Sequence, residues 1–244
     1  KKKSKVLNMK HKINNVDLFV NEIFYSIQGE GSHIGMPCIF VRMQGCNLRC
    51  KWCDTSYAQE IMELYPISIY KEKKSFPNLI KLKELIKIIK SYNCKLICIT
   101  GGEPLVQNET TFLIKELCNL EYTVLVETNG SIPILCIDHR ASLIMDLKCP
   151  SSGMTEHIIY SNIDFLTLND EIKFVIENQE DYLWAKNLIK EYSLERRVKE
   201  ILISPVFSKI DLEKLAEWIL TDNLPVRLQV QLHKIIWGPK KKGV

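Results

Sequence analysis

From Asn78 onward the chain alternates between short apolar runs and segments of helical periodicity, and this alternation restricts the fold more than any other feature. NLIKLKELIKIIKSY (78–92) carries apolar residues at helical spacing behind Asn78 as a cap. KLICIT (95–100), YTVLVET (122–128), SLIMDLK (142–148), EIKFVIE (171–177), EILISP (200–205) and RLQVQLH (227–233) read as strands. Gln107–Leu120, Gln179–Tyr192 and Asp211–Leu220 read as helices between them. Upstream, LFVNEIFYS (18–26) reads as a first strand or edge extension, and CIFVRMQG (38–45) as a strand. Such order implies parallel strands joined by crossover helices. Six of them fit a partial (β/α)6 barrel better than a closed eightfold one, which takes about 250 residues. We expect a single α/β domain over 18–238, with an irregular insertion at 57–78 where a first barrel helix would stand. A frayed arm (1–17) should precede it, and a basic tail (239–244) should follow.

Parallel α/β folds put chemistry at the carboxyl ends of their strands. Here those ends read TGGE, ETNG, DLK, ISP and QLHK. Another polar concentration, QGEGSHIGMPCIFVRMQGCNLRCKWCDT (28–55), holds Cys46, Cys50 and Cys53 within eight residues. Clustered thiolates suit zinc or an iron–sulfur centre. Closed zinc or cubane sites generally take four protein ligands, and the local run supplies three. Either a distant Cys38, His33 or Cys94 completes a zinc site, or one metal position stays open. Arg42, inside a strand, calls for a buried acid or a ligand carboxylate that matches its planar fork. Glu103 and Lys148 end apolar strands, where an unpaired charge is costly; an internal salt bridge between them is one answer. His233 reads as a core or capping residue. Cys94, Cys98, Cys118, Cys136 and Cys149 read as small buried hydrophobes.

The run CNLRCKWC, together with ITGGEP (99–104), resembles the signatures of radical S-adenosylmethionine enzymes. Adding IQGEG (27–31), FVRMQGCN (40–47), CDT (53–55) and RLQVQLHKIIWG (227–238) makes the chain similar to the 7-carboxy-7-deazaguanine synthase family over about residues 20–238. The resemblance implies a radical ring contraction of 6-carboxy-5,6,7,8-tetrahydropterin to 7-carboxy-7-deazaguanine, with loss of ammonia, in 7-deazapurine biosynthesis. It implies a 4Fe-4S cluster on Cys46, Cys50 and Cys53, S-adenosyl-L-methionine, and Mg2+ at Thr55. By the same resemblance Trp52, Cys53, Asp54, Gly102, Glu103, Asp146, Leu147, Lys148, Ser204 and Pro205 bind S-adenosylmethionine. Ile27, Gln28, Gly29, Glu30, Arg42 and Thr100 bind the pterin. A flavodoxin or ferredoxin-type reductant and a homodimer are implied as well. DLK departs from the SPK of several family members. An activase that places a glycyl radical on a partner protein shares the cysteine run, GGE and DLK, and stands as the alternative. A zinc-stabilised nucleic-acid-binding module is a third.

Composition trims these possibilities. A net charge of +4, with lysines gathered at both ends and at Lys71–Lys74, reads as solvated surface, so no nucleic acid is expected. Nine cysteines, three of them clustered, argue for a reducing compartment. No apolar stretch reaches the roughly 18–20 residues of a membrane span, and the beginning of the chain lacks a signal-peptide apolar core. A cytoplasmic enzyme is the expectation.

Overall fold

The computed structural model describes residues 16–62, 66–69 and 72–244. Its core is one mixed sheet of eleven strands in the order β11-β10-β9-β8-β7-β6-β2-β1-β3-β4, with β5 paired to β1. The parallel part comprises β2 (Pro37–Met43), β6 (Leu96–Gly101), β7 (Thr123–Thr128), β8 (Ser142–Leu147), β9 (Glu171–Ile176), β10 (Glu200–Pro205) and the two-residue β11 (Arg227–Leu228). Six long parallel strands in an open sheet are the expected partial barrel. β1 (Asp17–Ile27) runs antiparallel to β2. The frayed arm lies outside the described residues except at its end, where Val16 is buried and Asp17 opens β1.

Strand alternation gives the sheet two different faces. Ile39, Val41, Ile97, Ile99, Val124, Val126, Met145, Ile172, Phe174 and Ile203 face one way into the main core. Helices α1 (Leu82–Ile89), α2 (Thr110–Asn119), α3 (Gln179–Tyr192) and α4 (Leu212–Thr221) cover that face with Leu85, Leu113, Leu117, Tyr182, Leu188 and Leu215. Burying each such side chain contributes roughly 1.5–3 kcal/mol. Capping is local: Asn178 accepts from Asp181 N–H at the start of α3, and Asp211 from Glu213 N–H at the start of α4. The opposite face holds a smaller apolar group, Phe24, Cys38, Phe40, Leu96, Cys98, Leu125, Ile144 and Leu202, near the starting ends of the strands.

Three local expectations are corrected. Residues 57–78 are not irregular throughout: β3 (Pro66–Ile69) and β4 (Glu72–Pro77) form an antiparallel pair, and β3 extends the sheet alongside β1. Sheet pairing with β1 supplies order that no apolar periodicity announced. Asn78 does not cap α1. It is fully buried, donates to Met62 O and, at 3.3 Å, to Gln44 Oε1, and β5 (Leu79–Lys81) separates it from the helix. RLQVQLH is not one strand: only Arg227–Leu228 pairs, and Leu232–Trp237 forms α5. Among the other cysteines Cys98, Cys118 and Cys149 are buried, but Cys94 is half-buried and Cys136 exposed.

Candidate active site

The second face of the sheet becomes polar toward the carboxyl ends. Register places Glu22 opposite Arg42 and Arg42 opposite Thr100. It likewise places Glu127 opposite Ile144, Asp146 opposite Lys173 and Lys173 opposite Leu202. Paired residues share a face, so Glu22, Arg42, Thr100, Glu127, Asp146, Lys173 and Ser204 form one polar layer above the apolar group. Thr100 Oγ1 donates to Glu127 Oε2 at 2.7 Å, and Arg42 Nε donates to Glu22 Oε1 at 2.6 Å. Gln229 Nε2 donates to Ser204 Oγ at 3.3 Å, while its Oε1 takes Gly31 N–H at 2.7 Å. Arg42 is thus paired with a buried acid, and its fork is steered by the rings of Phe24 and Tyr57, with centroids 5.7 and 5.9 Å away.

Above β2 the chain leaves the sheet as the cysteine loop. Gly45 N–H and Cys46 N–H donate to Ala58 O and Gln59 O, each at 2.9 Å. Lys51 N–H reaches Ser152 O at 3.2 Å, and Arg49 Nη1 ties back to Cys46 O at 2.7 Å. The TGGE turn after β6 locks against this loop. Glu103 N–H donates to Gly45 O at 2.8 Å, and a Cβ on Gly102 would lie 2.3 Å from Gly45 O and 2.8 Å from Cys46 Cβ. Only glycine permits that approach. Cys46 and Cys50 are half-buried, Cys53 and Asp54 are exposed, and Trp52 and Thr55 are partly exposed. Burial pushes the Cys46 and Cys50 thiols up, and the Lys148 ammonium opposes this at both.

These residues fit a cluster. Among the described residues no three His, Cys, Asp or Glu converge on a point for a single metal ion. Three thiols spaced along one loop suit a polynuclear centre in which each binds its own iron. None of the alternatives for a fourth zinc ligand reaches the loop. Cys38 sits at the start of β2, roughly 16 Å below its end at 3.3 Å per residue. Cys94 donates to Pro37 O at the same lower end, and His33 lies beside Glu171 and Lys199 at the starting ends of β9 and β10. The site also offers an unmet polar atom: Asp146 Oδ1 is buried with no hydrogen-bond partner, a state that a ligand donor would relieve.

The remaining residues singled out in the sequence divide into two groups. Gln28, Gly29 and Glu30 are buried and Ile27 half-buried in the segment that follows β1. His233 packs against Gly29, where a Cβ would lie 2.2 Å from Nδ1. Glu30 is held by Lys173 Nζ and Gln231 Nε2, both at 2.7 Å. Lys148 pairs with Asp146 at 2.9 Å, so its salt bridge is not with Glu103. The second group turns away from the polar layer. Glu103 is fully buried and accepts from Leu105 N–H at 3.0 Å, Thr128 Oγ1 at 3.0 Å and Asn129 N–H at 2.6 Å. Its carboxylate therefore ties the turn to β7, and a contact with a ligand there falls to backbone. Leu147 points into the helix-side core, so it too can offer only backbone. Pro205 follows Ser204 and takes the opposite face of β10. Asp54 is engaged by Lys234 at 2.7 Å and by Thr55 Oγ1 at 2.9 Å.

Sequence reasoning missed Glu22, Tyr57, Lys173 and Gln229, and it reached Glu127, Gln231 and Lys234 only as members of the strand ends ETNG and QLHK, with no role given to them. Lys242 and Gly243 also return to the site, with Lys242 Nζ 3.8 Å from the Tyr57 ring centroid and Gly243 beside Glu22. A charge at an alternate position of an apolar strand was the available signal for Lys173.

An open parallel sheet with a three-thiol loop at the head of its first parallel strand defines a radical S-adenosylmethionine protein, and the profile of the Radical SAM superfamily matches residues 40–219. That family implies a 4Fe-4S cluster and S-adenosylmethionine. The chain is 41% identical over 231 residues to the 7-carboxy-7-deazaguanine synthase of Chlorobaculum tepidum, covering 93% of this chain and 97% of that one. It is 39% identical to the enzyme of that name from Clostridium acetobutylicum (92% and 98% covered) and 35% identical to that of Thermoplasma acidophilum (91% and 98% covered). The chain belongs to the 7-carboxy-7-deazaguanine synthase family. The crystal structure of QueE from Escherichia coli shares the fold, with a TM-score of 0.74 at 21% identity over 92% of this chain and 98% of that one. Among the described residues no helix is long and apolar enough to cross a membrane.

Proposed function

We propose that this enzyme converts 6-carboxy-5,6,7,8-tetrahydropterin to 7-carboxy-7-deazaguanine and ammonia, within one catalytic domain over residues 18–238. The observation that carries the reading is the common placement of two groups: the cysteine loop follows the carboxyl end of β2, and the polar layer lies toward the carboxyl ends of β2 and the parallel strands beside it. Cys46, Cys50 and Cys53 would hold the cluster, and Thr55 would give Mg2+ a hard oxygen. When bound, cluster and S-adenosylmethionine supply one-electron hydrogen-abstraction chemistry, the part a cofactor contributes rather than the protein.

The chain's residues do the orienting. Asp146, with its unpartnered oxygen, Lys148, Ser204 and the backbone at Gly102, Glu103, Leu147 and Pro205 face S-adenosylmethionine, joined by Trp52, Cys53 and Asp54. Arg42 takes the pterin carboxylate, with Thr100 beside it on the next strand. Ile27, Gln28, Gly29 and Glu30 read the heterocycle's edge, where amide and carboxylate groups match alternating donors and acceptors. The Lys242 tail over Tyr57 helps exclude water from the carboxylate end. A flavodoxin or ferredoxin-type reductant, a homodimeric state and a cytoplasmic setting complete the reading.

Anaerobic reconstitution with iron, sulfide, reductant, S-adenosylmethionine and the pterin tests it. Deazaguanine carboxylate and ammonia in equal amounts are expected; a loaded cluster that gives neither sinks the substrate assignment. Radical transfer to a partner protein instead would favour the activase.

A further inference from the structure

Lys173 is among the most enclosed charges in the protein, and the family signatures do not include it. It projects from the middle of β9 while its neighbours Ile172 and Phe174 point into the opposite core. Its Nζ donates to Glu30 Oε2 at 2.7 Å and stands 3.4 Å from Asp146 Oδ2. Their side chains are 11%, 11% and 16% exposed, so solvent screens little of this contact. Asp146 is its direct partner in the sheet, whereas Glu30 arrives from a loop 143 residues earlier in the chain. An apolar side chain would fill such a position with less desolvation cost than a buried ion pair.

We infer that Lys173 is a positioning residue that ties the loop facing the pterin to the strand end facing S-adenosylmethionine, holding the Glu30 and Asp146 carboxylates in place for the two ligands. Glu30 and Asp146 face those ligands only under the assignment proposed above, on which this role rests. The arrangement leaves the oxygens distributed for the task. Gln231 holds Glu30 Oε1, Lys148 and Lys173 hold Asp146 Oδ2, and Asp146 Oδ1 remains for a ligand. Glu127 of β7, Lys148 at the end of β8 and His233 of α5 also face this group. Burial disfavours every charge here, but the opposite charges outweigh it. Lys173 stays protonated well above the ordinary lysine range, and Glu30 and Asp146 stay ionised below the ordinary carboxylate range. A lysine so held orients its two carboxylate neighbours.

The test compares cluster-loaded wild type with Lys173→Met and Lys173→Arg. Lys173→Met is expected to keep its iron while losing at least about tenfold in both S-adenosylmethionine affinity, by calorimetry, and pterin KM. Lys173→Arg should recover most of both. The melting-temperature gap between wild type and Lys173→Met should narrow as pH falls from about 8 to 5, because Glu30 without its paired cation regains a proton, whereas Asp146 keeps Lys148. Loss confined to one ligand, unchanged binding of both, or a pH-independent gap overturns the role. If Lys173→Met does not fold, Asp146→Asn decides: it must raise pterin KM as well as weaken S-adenosylmethionine binding, and unchanged pterin KM overturns the coupling. A wild type that binds S-adenosylmethionine but makes no deazaguanine overturns the substrate assignment instead, and the affinity and melting readouts still judge Lys173.

Discussion

Arg42 and Glu22 lie directly across the antiparallel pair of β2 and β1, and Arg42 Nε donates to Glu22 Oε1 at 2.6 Å. The Tyr57 hydroxyl donates to the same oxygen at 3.1 Å. Burial works against the Arg42 charge, yet the Glu22 carboxylate more than compensates and holds it protonated. Because the pairing runs through Nε, the terminal nitrogens of the fork keep the geometry that a substrate carboxylate requires.

Arg42→Lys should therefore raise pterin KM about tenfold or more, equivalent to about 1.4 kcal/mol, with little change in melting. Arg42→Met should also destabilise the fold by roughly 3–5 kcal/mol, because it leaves Glu22 buried without its cation. Steady-state kinetics and denaturant melts separate the two effects. Equal KM values for wild type and Arg42→Lys would remove Arg42 from the carboxylate site.

The three loop thiols should be individually essential to the metal centre. Cys46→Ser, Cys50→Ser and Cys53→Ser should each abolish the brown colour and cut iron from about four atoms per chain. Cys38→Ser and Cys94→Ser should leave both unchanged. Zinc in place of iron, or loss of metal on changing Cys38 or Cys94, would contradict the cluster assignment.

Gly102→Ala tests the lock between the TGGE turn and the cysteine loop. The added methyl would meet Gly45 O at 2.3 Å, and this is backbone that cannot rotate aside. A loss of roughly 1–3 kcal/mol is expected, with poorer iron incorporation because the displaced atoms adjoin Cys46. Wild-type melting and iron content would show that the turn yields freely.

Glu103 should give stability a specific pH dependence. Burial raises its carboxyl from 4.5 to about 7, although hydrogen bonds from Asn129, Leu105 and Thr128 and the Lys148 charge all oppose the rise. Between those two values the folded protein keeps a proton that the unfolded chain has released. Stability from this group is therefore greatest at the acidic side and falls as pH rises through that window, by roughly 3 kcal/mol at most. Glu103→Gln should remove this component of the slope in melts run across about pH 4.5–7.5. An unaltered slope would show that Glu103 is ionised throughout.

The readable parts of this protein are those encoded by neighbours in the chain. Cys46, Cys50 and Cys53 fall within one loop, and TGGEP is one turn, so local spacing announced both. The parallel series was legible from strand and helix periods, because each strand buried on both faces reads as an apolar run. Failures occurred where a distant partner overrode local preference. Asn78 has a capping residue's chemistry, but Gln44 and Met62 claim its side chain. RLQVQLH has strand composition, yet its second half turns away once β10 has paired with Arg227 and Leu228.

By itself the sequence determined the three-cysteine loop, the parallel strands β2 and β6 to β10, and the family, because these depend on residue types at short, fixed separations. Tertiary structure alone decided the charge pattern of the site. Whether Glu127 or Lys173 faces the helices or the ligand space depends on strand register, and a shift of one residue would exchange the two faces. Which acid pairs with which cation was settled by contacts such as Glu30 with Lys173, between residues 143 positions apart that only the folded sheet brings together.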